Sequence, residues 1–438
     1  MRNKVLIIGA IFIAVLSIVF GIRAVSKRGS QSAEVKPQNA PATTANERAT
    51  PADEQIRQAR AVIRRAPNKP DGYNQLCAAF MQKARETGDF SFNQRAEAAL
   101  ERSLKSAPDN YDALKLRAKL LLANHRFAEA LEVARRAVEQ RPRDYEIYGV
   151  ITDAHVELGN YREAVEAADA MVQLRPYTPS YARVSYIRSL HGDSKGAIDA
   201  MRMAEQSAGD AESLAWCAVH LGDELLNSGK RAEAEHEFNR ALFALPDYHL
   251  ALAGKARARI AAGDMEGAVD LYRKAQERVP LPDVAIALGN LYARLNRNDE
   301  AQRQYELVEF IEHSGTAGAG TYSRHMAVFW ADRGVKLDEA LAVARRERAS
   351  RADIYTSDAL AWCLYKKGEL TEAKTAIDEA LRLGTRDAGI NYHAGMIYQA
   401  LGDQRKAAQH LNLALKINPT FDVLQAEVAR ETLRTLTA

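Results

Sequence analysis

The most regular alternation of apolar and polar positions lies near the C-terminal end, in Asp387–Phe421 (DAGINYHAGMIYQALGDQRKAAQHLNLALKINPTF). Two helical patterns sit back to back there, broken by Gly402 and ended by Pro419. Gly395, Ala407 and Ala414 stand where the two helices must touch. The alanine that opens the second helix recurs upstream: Ala96, Ala130, Ala164, Ala197, Ala234, Ala268, Ala301, Ala340, Ala373 and Ala407. Successive gaps are 34, 34, 33, 37, 34, 33, 39, 33 and 34 residues. Antiparallel helices approach closely only where the crossing residue is small, so packing accounts for the register. At 438 residues the chain is too long for one core of ordinary size. The pattern predicts an all-α array of helix-turn-helix units that grows in one dimension.

Prolines close several units, at Pro67, Pro108, Pro142, Pro176, Pro246, Pro280 and Pro419. Proline stops one helix and sets the turn into the next. It is missing at Gly209, His313, Ala352 and Thr385. Two insertions interrupt the period, at Gly88–Asn93 and His313–Gly320, and both are expected to be loops. The second is rich in glycine, but no GK[ST] follows and no strand precedes it, so it is not a phosphate loop. Glu347 stands where small or apolar residues pack, which makes unit 321–353 the least regular. Ala52–Ala66 is expected to cap one end of the array and Val423–Leu436 the other.

This pattern resembles the tetratricopeptide repeat over about Ala52–Phe421. The clearest matches are Leu288-Gly289-x-x-Tyr292 with Ala301 and Tyr305, Ala394-Gly395-x-x-Tyr398 with Ala407 and Ala414, and Leu221-Gly222 with Ala234, Phe238 and Ala241. The resemblance implies a right-handed superhelical solenoid of about ten repeats plus capping helices over residues 52–438. It also implies that the first helix of each unit lines a concave face, with its second, fifth, ninth and twelfth positions pointing inward. In the first half those positions hold polar residues: Asp112, Lys115, Lys119, Glu146, Asp153, Tyr186 and Asp223. In the second half they hold Tyr322, His325, Phe329, Tyr355, Trp362, Tyr365, Tyr392 and Met396. Aromatic rings offer large contact area at little entropic cost, which suits capture of an extended peptide or a helix. The plainer account is that these rings fill the core between neighbouring units. A clamp for carboxylate-terminated chaperone tails needs asparagine four residues after a lysine, and Lys115 is followed by Lys119.

Upstream of the array, Val5–Ile22 is an uncharged run of eighteen apolar residues. As a helix it spans about 27 Å, close to a bilayer's hydrocarbon core. Residues 1–25 are read as an uncleaved transmembrane signal-anchor, since the run is longer than a signal peptide's apolar region and no A-x-A-like site follows. Basic residues flank it almost equally, Arg2 and Lys4 against Arg23, Lys27 and Arg28. The repeat domain is assigned to the periplasmic side, with the cytoplasmic side as the alternative. Ala10, Ala14, Ser17 and Gly21 share one helix face, a stripe through which the anchor would form a homodimer. Residues 26–51 lack apolar periodicity and read as a disordered tether whose ends sit on the order of 30 Å apart.

Composition narrows function further. Sixty basic residues are interleaved with fifty-seven acidic ones, and a net charge of +3 gives no footprint for nucleic acid. Cys77, Cys217 and Cys363 are far apart, without disulfide or metal-ligand spacing, and read as buried thiols. There is no GxSxG, no complete HExxH and no Walker-type loop, so neither enzyme activity, metal nor cofactor is expected. Acid pairs such as Asp299-Glu300 fall in first helical turns, where they complement the helix dipole. The chain is expected to be a membrane-anchored scaffold that binds a protein or peptide partner in bacterial envelope assembly, secretion or chaperoning. The alternative is a regulatory or assembly subunit of a membrane enzyme complex, for example in envelope polysaccharide synthesis.

Overall fold

The computed structural model describes residues 51–87, 91–316 and 323–437. The anchor at residues 1–25, nearly all of the tether and Tyr322 lie outside the described residues. Among the described residues no helix is long and apolar enough to cross a membrane.

All the regular elements there are helices, paired along the chain. The array opens with α1 (Pro51–Arg65), α2 (Pro70–Thr87) and α3 (Ser91–Ser106). Then come α4 (Tyr111–Ala123) with α5 (Phe127–Gln140), α6 (Tyr145–Glu157) with α7 (Tyr161–Leu174), and α8 (Thr178–Leu190) with α9 (Ser194–Gln206). The middle holds α10 (Ala211–Asn227) with α11 (Arg231–Ala244), α12 (His249–Ala261) with α13 (Met265–Arg278), and α14 (Pro282–Arg294) with α15 (Asn298–Thr316). The array closes with α16 (Arg324–Arg333) and α17 (Leu337–Ser350), α18 (Ile354–Lys367) and α19 (Leu370–Ala380), α20 (Ala388–Ala400) and α21 (Gln404–Ile417), then α22 (Gln425–Thr437). Several boundaries differ from expectation, among them α3, which begins at Ser91 inside the stretch Gly88–Asn93 expected to be a loop. The first helix already begins at Pro51, α15 carries regular helix past His313 to Thr316, and the cap starts two residues later than Val423.

All ten aligned alanines are buried, none more than 3% exposed. What they pack beside explains the glycines. Phe238 projects from α11 between α10 and α12, and a Cβ at Gly222 or Gly254 would stand 2.6 or 2.3 Å from its ring. Tyr305 and Leu411 occupy the equivalent notches at Gly289 and Gly395, with would-be Cβ contacts of 2.6 Å each. In these three units one large side chain of the second helix thus enters a glycine notch on a first helix.

The array also winds back on itself. The α6–α7 turn meets the α17–α18 junction five units later. The Ala352 N–H donates to the Glu157 carbonyl oxygen at 2.8 Å, and the Ile354 N–H donates to the Tyr161 hydroxyl at 2.9 Å. Arg351 lies between two carboxylates, 3.2 Å from Glu157 and 2.8 Å from Glu347, and all three residues are buried. It also donates to His125 Nδ1 at 3.3 Å and covers the Phe127 ring. Beside it Arg324 pairs with Asp353 at 2.9 Å. Gly159 adopts φ +73°, and a Cβ there would also meet the Ala352 carbonyl oxygen at 2.5 Å. One unit on, Gly192 stands against Gly384 in the same way. This clasp accounts for two of the missing prolines. A proline at 352 would have no N–H to give Glu157, and Thr385 is buried beside the second contact. It also accounts for Glu347, the polar residue at a packed position.

The clasp titrates in two opposed ways. Burial and then Asp353 push the Glu157 carboxyl up to about 7, against the pull of Arg351 and Arg324. Burial, with Arg351 and Arg324, pushes the His125 imidazole down to about 4. The raised Glu157 stabilises closure fully below its ordinary value of 4.5, and that stability is lost as pH rises through about 7. The depressed His125 stabilises closure above its ordinary 6.5, and that is lost as pH falls through about 4. Over the shared window the two contributions oppose each other.

Two outcomes test this account. Phe238→Ala empties a notch and is expected to cost about 3–5 kcal/mol in urea unfolding, whereas Gly254→Ala overfills it at about 1–3 kcal/mol. For the clasp, Arg351→Met strands two buried carboxylates and is expected to cost about 3–5 kcal/mol of closure. Glu157→Gln leaves His125 as the unopposed titration of the pair, so the protection of the Ala352 amide, corrected for the intrinsic base-catalysed exchange rate, should fall from pH 7 to 5 more in that variant than in the wild type.

Candidate functional site

Five of the seven inward positions of the first half, Lys115, Lys119, Glu146, Asp153 and Asp223, are held in ion pairs between units. Lys115 lies 2.9 Å from Asp144 and 3.0 Å from Glu146, and Lys119 lies 2.9 Å from Glu146. Asp153 and Arg183 form a buried pair at 2.5 Å. Asp223 pairs with Arg257 on the next first helix. These groups already hold partners within the array.

The aromatic positions of the second half divide in two. Trp362, Tyr392 and Phe329 are buried, at 2%, 4% and 3% exposure. Trp362 stacks on His393 at 4.0 Å and on Tyr365 at 4.9 Å, and its Nε1–H donates to Asp332 at 2.7 Å. Its ring and hydrogen-bonding group are therefore spent on neighbouring units. Tyr365, Met396 and Tyr355 are half-buried, and His325 is exposed. Tyr355 sits on the clasp side with Arg324 over its ring, separate from the others.

Trp362, Tyr365, Tyr392 and Met396 come together on one cleft of about 420 Å³ on α18 and α20. Sequence reasoning missed the rest of its wall: Asn290, Tyr305, Asp332, Arg333 and Lys366, together with Asp422, Leu424, Gln425 and Val428 from the C-terminal segment. Of these only Tyr305 carried a signal, as a repeat-pattern residue. Phe329 backs Tyr305 at 5.8 Å, and Arg333 lies over both rings. Lys366 lies over the Trp362 ring at 5.1 Å.

The electrostatics of the cleft centre on Asp332. Loss of bulk water pushes its carboxyl up to about 6, although His393 and the Trp362 hydrogen bond pull the other way. Burial alone would lower His393, but Asp358, 2.9 Å away, outweighs it and holds the imidazole above its ordinary value. The phenol of Tyr365 is raised by burial. Cys363, behind the cleft, is buried with its thiol pushed up to about 12, and Cys77 and Cys217 are buried likewise. Among the described residues no group of side chains is arranged to hold a metal ion. The arrangement offers half-open aromatic and thioether surface rimmed by the cations of Arg333 and Lys366 and the carboxylates of Asp332 and Asp422, suited to holding a side chain.

Profiles of the tetratricopeptide repeat match residues 81–145 and 220–281, 121–184, and 388–421. No curated protein matches the chain. Among solved structures, the human IFIT1 dimer with m7Gppp-AAAA is 15% identical, with 75% of this chain and 76% of that chain covered and a TM-score of 0.49. A tetratricopeptide repeat protein from Parabacteroides merdae is 18% identical, with 60% and 99% covered and a TM-score of 0.34. The Cut9–Hcn1 hetero-tetramer of the APC/C is 13% identical, with 87% and 93% covered and a TM-score of 0.34. With its register of buried alanines and its paired helices, the described part of the chain is an all-α solenoid of tetratricopeptide-like repeats, matched to that family over residues 81–184, 220–281 and 388–421.

Proposed function

We propose that the chain is a scaffold that holds a protein partner, and that the partner's contact is an extended peptide seated in the cleft beside α18 and α20. The observation that carries this is the gathering of Tyr365 and Met396, both half-open, with Tyr305, Arg333 and Lys366 on one concave surface. Repeats of this kind present rigid, side-chain-lined surfaces without building a catalytic centre. The apolar run Val5–Ile22 would tether the array to a membrane, with the repeats in the periplasm and residues 26–51 as the spacer. That tether supports a role in envelope assembly, secretion or chaperoning.

Photocross-linking from position 396 of the full chain, followed by identification of the adduct, tests the cleft. A Tyr365→Ala/Met396→Ala chain is expected to lose at least tenfold of partner recovery while its thermal unfolding stays close to wild type. Unchanged recovery would place the partner elsewhere. A reporter fused after Ala438 that is active only in the periplasm tests the topology, and silence there would reverse it.

A further inference from the structure

The C-terminal segment supplies one wall of the cleft and reaches across to the opposite side. After Pro419 the backbone runs along the cleft before α22 begins at Gln425. Phe421 lays its ring against Tyr392 at 5.4 Å. Asp422 accepts from the N–H groups of Leu424 and Gln425, both at 2.7 Å, and so turns the segment into the helix. Gln425 Nε2 then donates to Asp332 Oδ1 at 2.7 Å, reaching α16 across 93 positions of sequence. Farther along, the Thr432 hydroxyl points at the Met396 sulfur at 3.8 Å.

Capping the array does not require the Asp332 contact. The end of a solenoid needs an apolar face covered, and Ala426 and Ala429, at 4% and 0% exposure, meet that need. Gln425 instead adds a bond to a carboxylate that already accepts from Trp362. The segment also leaves the cleft unfilled, with Val428 41% exposed at its edge. A strap that uses one ring and one amide, and leaves about 420 Å³ open beside them, fits the site without completing it.

We propose that residues 421–425 are a tethered stand-in for the partner. On this reading the cleft binds an extended peptide bearing an aromatic side chain and, four residues later, a nitrogen donor for Asp332, and that peptide displaces the strap. The inference rests on the cleft being the binding site, as proposed above, and adds the chemistry of the occupant. Tyr392 selects the ring. Asp332 selects a donor over an acid, and a guanidinium over an amide, because charge assistance strengthens the bond. The strap acts as a built-in competitor, since a short tether holds it at an effective concentration on the order of 1 mM. An external peptide must outcompete that.

The test uses the full chain and a fluorescein-labelled peptide of the sequence 418–428, followed by anisotropy. Wild type is expected to bind it only near millimolar concentration. A Phe421→Ala/Gln425→Ala chain, whose strap has lost both anchors, should bind at least tenfold tighter. In the peptide, arginine at the glutamine position should tighten binding severalfold, and glutamate there or alanine for the phenylalanine should abolish it. Equal binding by both chains, no binding by either, or indifference to these peptide changes would overturn the proposal. Amide exchange at Ala429 reports whether α22 stays folded in the double variant. If it does not, Gln425→Ala alone, which keeps Phe421 and the capping alanines, decides by the same comparison with a gain of about threefold. Loss of the cross-linked partner in the Tyr365→Ala/Met396→Ala chain together with no peptide binding here would leave the cleft standing and remove the stand-in.

Discussion

Close approach between helices is the constraint from which this molecule is built. A ring such as Phe238 reaches between α10 and α12 only because positions 222 and 254 carry no side chain. The alanines beside it bring the paired helices together by the same means. Repeating that contact sets the rotation from one unit to the next, and the accumulated rotation brings the α6–α7 turn to the α17–α18 junction. The clasp and the cleft are therefore second-order products of small residues placed at an even interval. The clasp involves no element foreign to the repeat, whereas the cleft takes one wall from the capping segment.

The clasp and the C-terminal strap share a logic. Each joins distant units through a charged side chain that the repeat itself does not need: Arg351 between Glu157 and Glu347 in one case, Asp332 with Gln425 in the other. An open groove running along the whole array is not what the chain forms. Its first half is occupied by ion pairs, its middle is drawn in at the clasp, and accessible aromatic surface is left near the C-terminal end.

The repeat was legible because its signal is local. Ten alanines in register and the glycines opposite them report contacts between residues within about forty positions of one another, and the helices followed with boundaries off by only a few residues. The site was legible in part. Position rules taken from a family resemblance found Trp362, Tyr365, Tyr392 and Met396, which do meet. They could not distinguish Trp362, whose faces are covered by His393 and Tyr365, from Tyr365, which keeps open surface three residues later on the same helix. The remaining wall, from Asn290 and from the C-terminal segment, was not legible, since it depends on how several units curl together. The clasp left traces without an address. Glu347 at a packed position and the absent prolines at Ala352 and Thr385 marked where the repeat yields to a long-range contact, though the sequence alone does not say with what.

That contact changes the thermodynamic character of the array. An open solenoid is a one-dimensional chain of nearest-neighbour couplings, and it frays from either end at little cost. Tying the second helix pair after Asn110 to the junction before Ile354 adds a coupling between units that are not neighbours. Melting any unit inside that loop must break the tie or proceed within a closed ring, so the span between Tyr145 and Ser350 gains the cooperativity of a globular domain. The helices outside it keep the looser behaviour of a repeat. The C-terminal strap lies in that looser part together with the α18 and α20 side of its seat, while Asp332 on α16 belongs to the ring.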